Sequence, residues 1–122
     1  MKHAPGFLAL VNDAKGRVRE VTIAETQRRM ASGAPLHVID VREDMEWAAG
    51  HVAGAVHIGK GVIERDVEAK VPKKDAEVIL YCGGGYRSVL AGDALRQMGY
   101  TNVASMAGGW RGWTESGGAT ER

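Results

Sequence analysis

The chain has a single cysteine, Cys82, among its 122 residues. No intramolecular disulfide can form, which fits a reducing compartment. A structural zinc site built from several thiolates is excluded as well. The four histidines, His3, His37, His51 and His57, show none of the paired spacings that hold a metal. No apolar run approaches the roughly 20 residues that span a bilayer. The patch from Phe7 to Val11 is cut short by Asn12 and Asp13, so it does not read as a secretory signal. A cytoplasmic location without membrane contact is therefore expected. An excess of one charge is also missing. The formal net charge is +1, which offers no footprint for nucleic acid.

What remains is ordinary for one globular domain, with 44% hydrophobic and 25% charged residues. The length allows one core, and a monomer is the default. Residues 1–20 form an N-terminal extension in which Phe7, Leu8, Leu10 and Val11 suggest the apolar side of a short helix. Thr22 and Glu25 have capping-box spacing, predicting a helix that runs through Met30 and stops near Gly33. The run beginning at Leu36 reads as a buried strand, and a short helix ends at Gly50. A strand around Val56 precedes a helical rhythm of Val62, Ile63, Val67 and Val71 that Pro72 closes. Val78 to Tyr81 is the clearest strand. Val89, Leu90, Ala94, Leu95 and Met98 recur at helical spacing up to Gly99. A last strand is expected at "NVASM" and a final turn or short helix at "GGWRGWTES". The tail, residues 117–122, is expected to be disordered. Alternating strands and helices imply an α/β fold, a parallel sheet of about five strands flanked by helices on both faces.

Cys82 stands at the carboxyl end of the clearest strand, where ligands bind in open parallel sheets. Gly83, Gly84 and Gly85 follow, then Tyr86, and the next helix starts near Arg87 or Ser88. Glycines let successive N–H groups turn inward as an anion-binding nest, and a helix N-terminus adds its positive end. This setting favours a thiolate and holds an anion against it, as nucleophilic catalysis requires. A buried cysteine acting only as a small hydrophobe is the plainer alternative. The order strand, cysteine, glycines, arginine, helix makes the reactive reading the stronger one.

Three segments together resemble the rhodanese family of sulfurtransferases in its single-domain form. In Val38 to Ile58, residues Asp40, Arg42, Glu43, Glu46, Gly50, His51, Gly54 and Ala55 match the first signature. Tyr81 to Ser88 is similar to the active-site loop, and Met106 to Trp113 to the closing glycine pair and tryptophan. The resemblance places the domain at residues 21–116. Ala53 and Gly59 depart from positions where the family often has proline.

The resemblance implies a persulfide cycle on Cys82, with no cofactor and no metal. A small anionic sulfur donor such as thiosulfate would leave its outer sulfur on Cys82, and an external thiol or cyanide would remove it. A sulfur-accepting protein is a further candidate for the acceptor. Gly83, Gly84, Gly85, Tyr86, Arg87 and Ser88 would bind substrate, with Arg87 attracting the anionic donor. Asp40, Arg42 and Glu46 would be structural residues near the site. Arg42 and Glu46 stand four apart, suited to an ion pair. Asp40 is read as the one acid on the ligand side. His51 is expected to be a hydrogen-bonded core residue, and Trp47, Trp110 and Trp113 to be packing residues.

Three rivals stay open. Phosphatases of this fold carry five residues between cysteine and arginine, whereas here only Gly83 to Tyr86 intervene. A shorter loop makes a smaller nest, better matched to sulfur than to phosphate. An arsenate reductase would need an external resolving thiol. A non-catalytic module or sulfur carrier that binds a protein partner is the third, and an intact cysteine loop argues against it.

Overall fold

A computed structural model describes residues 3–122. Five strands form one parallel sheet: β1 (Arg19–Val21), β2 (His37–Asp40), β4 (Val56–His57), β5 (Val78–Tyr81) and β6 (Val103–Met106). Their order is β1-β6-β5-β2-β4, so β5 is central. A separate antiparallel pair joins β3 (His51–Val52) to β7 (Thr120–Glu121). The helices are α1 (Pro5–Lys15), α2 (Ile23–Ala31), α3 (Asp44–Ala49), α4 (Ile63–Lys70), α5 (Arg87–Gln97) and α6 (Gly109–Glu115). The expected α/β architecture is the observed one.

Strand alternation divides the core. Ile39, Val78, Leu80 and Cys82 point to one face, where Ile63 and Val67 of α4 and Ala91 and Leu95 of α5 cover them. Val38, Ile79 and Tyr81 point to the other, under Ile23 and Met30 of α2 and Trp110 and Trp113 of α6. Cys82 thus continues the β5 alternation and lies beneath α5. The Thr22 hydroxyl accepts from Glu25 N at 3.0 Å, and Glu25 Oε1 accepts from Thr22 N at 3.0 Å. That reciprocal box starts α2 as its spacing predicts.

Three segments differ from the sequence reading. β1 is an edge strand with only Val21 buried, so no apolar run marks it. In α1 the buried positions are Val11 and Ala14, which pack with Val18 and Val89, and Phe7 lies against this cluster. Leu10 is instead 62% exposed. The tail is ordered rather than disordered: Ala119 O accepts from Trp113 Nε1 at 2.9 Å and from Ala53 N at 3.0 Å. Those bonds are polar, and nothing in the tail's hydropathy announces them.

Candidate active site

The site begins where β5 ends. Cys82 is 1% exposed, with its Sγ under the first turn of α5. Two backbone amides donate to this sulfur, Gly85 N at 3.2 Å and Ser88 N at 3.4 Å. The Ser88 hydroxyl lies 3.5 Å away, and its oxygen is 2.7 Å from Ser105 Oγ on β6. Both serines are fully buried. An amide can only donate, so the sulfur is the acceptor, the role an anionic sulfur fills best. With an anion there, Ser88 donates to Sγ and Ser105 donates to Ser88.

The loop owes its shape to α6. Trp110 N donates to Cys82 O at 2.7 Å, and Arg111 N donates to Gly83 O at 3.1 Å. With its carbonyls bound outward, the loop presents N–H groups to the sulfur. This contact requires Gly109, whose φ is +54°. A Cβ there would collide with Cys82 O and stand 2.9 Å from the Gly83 carbonyl. Gly85, at φ +99°, likewise turns its amide into the nest.

Arg42 does not pair with Glu46. Its Nη2 bonds Asp40 Oδ2 at 2.7 Å and Gly50 O at 2.7 Å, and Asp40 Oδ1 also accepts from Arg42 N at 2.8 Å. The pair is buried, at 3% and 0% side-chain exposure. Burial alone would lower the Arg42 pKa, but the hydrogen bonds and charge of Asp40 more than reverse this. The guanidinium also sits 4.8 Å from the Trp110 ring, tying β2 to the start of α6. Adjacent in register, Tyr81 accepts from Val52 N at 3.0 Å, and burial pushes its phenol pKa upward.

Glu46 pairs with Arg87. Its oxygens accept from Nη1 at 2.9 Å and Nη2 at 3.2 Å. These bonds hold the Glu46 carboxyl below its ordinary pKa and raise that of Arg87. Glu46, not Asp40, is the acid on the ligand side.

Above the sulfur opens a cleft of about 630 Å³. Cys82, Gly83, Gly84, Tyr86 and Arg87 line it, together with Glu46, Arg111, His3 and Phe7. Residues 22–116 match the family model described as rhodanese-like domain. The chain belongs to the rhodanese-like family.

Among rhodanese-like relatives, it is 31% identical over 107 residues to the thiosulfate:glutathione sulfurtransferase of Homo sapiens, covering 78% of this chain and 92% of that protein. It is 36% identical over 72 residues to the thiosulfate sulfurtransferase PspE of Escherichia coli, covering 59% and 69%. A solved structure from Rhodopseudomonas palustris, described as of unknown function and a possible tyrosine phosphatase, superposes with a TM-score of 0.85. It is 26% identical and covers 99% of this chain and 98% of its own. Against longer relatives the chain spans only part: 51% of YrkF from Bacillus subtilis and 28% of MoeZ from Mycobacterium tuberculosis.

The rhodanese-like loop residues named from sequence divide into two groups. Gly83, Gly84, Tyr86 and Arg87 line the cleft, whereas Gly85 and Ser88 donate their backbone N–H groups to the sulfur. Asp40 and Arg42 do not line the cleft; Arg42 instead packs on Trp110, whose N–H holds Cys82 O. The sequence reading names none of Ser105, Arg111, His3 and Phe7 as site residues. Arg111 lies inside the closing motif, but its glycines and tryptophans carry the pattern. The other three reach the site only through tertiary packing.

Proposed function

We propose that the chain transfers sulfane sulfur through a persulfide on Cys82, as a thiosulfate sulfurtransferase. The observation that carries this reading is the pair of amides, Gly85 N and Ser88 N, directed at Sγ. In the first half-reaction the Cys82 thiolate attacks the outer sulfur of thiosulfate. The S–S bond of the donor breaks, and its electron pair leaves with sulfite. The new Cys82–S–S⁻ carries the negative charge one atom further out, and Gly83 and Gly84 line the cleft beside it. In the second half-reaction an acceptor attacks the outer sulfur, and the electron pair returns to Sγ. Cyanide leaves as thiocyanate, and a thiol leaves as a persulfide. No second cysteine exists within the chain, so the acceptor comes from outside, as a small molecule or a sulfur-accepting protein.

A phosphatase reading has support in the description of the Rhodopseudomonas palustris structure. Two features disfavour it here. Four residues separate Cys82 from Arg87, and Arg87 spends its bidentate face on Glu46 instead of leaving it for phosphate. Thiocyanate production from thiosulfate and cyanide tests the proposal. It should occur with the native chain and vanish in Cys82→Ser. Hydrolysis of an aryl phosphate in place of thiocyanate formation would contradict it.

A further inference from the structure

Helix α1 precedes the family match, which begins at residue 22, yet it reaches the candidate active site. Its buried face, Val11 and Ala14, is packed against Val89 of α5. That contact seats the N-terminal end of α1 over the glycine loop. The His3 ring lies 4.4 Å from the Tyr86 ring, and the Phe7 ring lies 6.3 Å from it. These three rings form one wall of the cleft. Arg111 also lines it and is exposed. Among the described residues Arg111 forms no ion pair, whereas Arg87 is matched by Glu46.

A cleft of about 630 Å³ lies in the range of roughly 300–1,000 Å³ that accepts a sizeable organic molecule. Thiosulfate, with five atoms, leaves most of it unfilled. The unfilled part has an aromatic wall and one uncompensated cation. Resting on the persulfide reading above, we infer that this space seats the sulfur acceptor, and that the acceptor is an organic thiol bearing a carboxylate. The apolar body packs on His3, Phe7 and Tyr86, the carboxylate pairs with Arg111, and the thiol reaches the outer sulfur on Cys82. The thiol sulfur bonds to that outer sulfur as the Cys82 S–S bond breaks. The electron pair returns to Sγ, and the thiol's proton stays with the departing persulfide, so RSH and Cys82–S–S⁻ become RSSH and Cys82–S⁻. Helix α1 is the specificity element of this step.

The full chain is first loaded with thiosulfate, and loss of the bound sulfur is timed by intact mass. The acceptors are 4-mercaptophenylacetate and neutral 2-mercaptoethanol. The readout is the ratio of their rates, in which each thiol's intrinsic reactivity is constant across variants. Phe7→Ala and Arg111→Gln should each lower that ratio about tenfold, as loss of a ring contact or a charge-assisted hydrogen bond does. A ratio within twofold of the native value in both variants overturns the inference. A second measurement needs no sulfur chemistry. Phenylacetate titrated into the unloaded chain should shift the NMR signals of Phe7 and Tyr86, with weaker binding in Arg111→Gln. Signals that stay fixed, or equal affinity in the variant, count against it. Failure to load any sulfur would instead refute the persulfide reading, and the phenylacetate titration would still decide this one.

Discussion

The guanidinium of Arg87, the first residue of α5, is held face to face by the carboxylate of Glu46 on α3, at 2.9 and 3.2 Å. The pair joins two of the family's sequence signatures across the mouth of the site. It also means that Arg87 presents little net charge to an anion unless Glu46 is neutralised.

Glu46→Gln should therefore lower KM for thiosulfate, with the gain shrinking as salt rises. The stability consequence has a definite sign. The folded pKa of Glu46 lies below its ordinary 4.5 because Arg87 binds the anion. The pair's contribution is complete above 4.5 and is lost as pH falls through the depressed value. Side chains one-third exposed limit it to about 0.2–1 kcal/mol. Urea melts at neutral pH and near pH 3 should show the native advantage over Glu46→Gln only at the higher pH. An unchanged KM would show that Arg87 is not restrained by Glu46.

Ser105→Ala removes the hydroxyl behind Ser88, 2.7 Å from it. Ser88 then loses its partner and orients less well toward the sulfur. A single hydrogen bond of this kind contributes about 0.5–1.5 kcal/mol, so sulfur transfer should slow roughly twofold to tenfold. KM for thiosulfate should change little, since Ser105 does not line the cleft. Ser105→Thr, which restores a hydroxyl, should recover part of the rate if the added methyl is accommodated. A loss confined to KM would contradict this role.

Gly109→Ala should abolish loading of Cys82 while leaving much of the fold in place. The added carbon meets Cys82 O and the Gly83 carbonyl, so α6 must withdraw and release the loop carbonyls. Overpacking of this sort costs about 1–3 kcal/mol. Circular dichroism should report retained secondary structure alongside lost activity. Native activity in this variant would mean that the bonds from Trp110 N and Arg111 N do not set the loop.

Arg42→Met strands the buried Asp40 carboxylate without its cation. Removing one partner of a buried pair costs about 3–5 kcal/mol. A chemical melt should therefore lose several kcal/mol, and adding Asp40→Asn should cost less than the sum of the single changes. Strict additivity would mean that the two side chains act independently.

Much of this arrangement was legible in the sequence because it is local. β5, α2 with its capping box, and the order of Cys82, glycines and α5 are each carried by contiguous residues. His51 is a hydrogen-bonded core residue as its context suggested, with Nδ1 3.0 Å from Trp47 O and its ring stacked on Trp47. Ion-pair partners were less legible. Arg42 and Glu46 stand at helical spacing, but Arg42 precedes α3, so its side chain turns back toward Asp40. That leaves Glu46 for Arg87, 41 positions away. The β3–β7 pair and the α1 wall were hidden for the same reason. They depend on contacts between distant segments, and neither a two-residue strand nor a ring at the edge of a loop leaves a periodic mark.

The central claim is that Cys82 carries the transferred sulfur. Incubation with thiosulfate, removal of excess donor and intact mass measurement under non-reducing conditions test it most directly. The native chain should gain the mass of one sulfur atom, lose it on adding cyanide, and show neither change in Cys82→Ala. An unmodified native chain, or an equal gain in Cys82→Ala, would contradict the account.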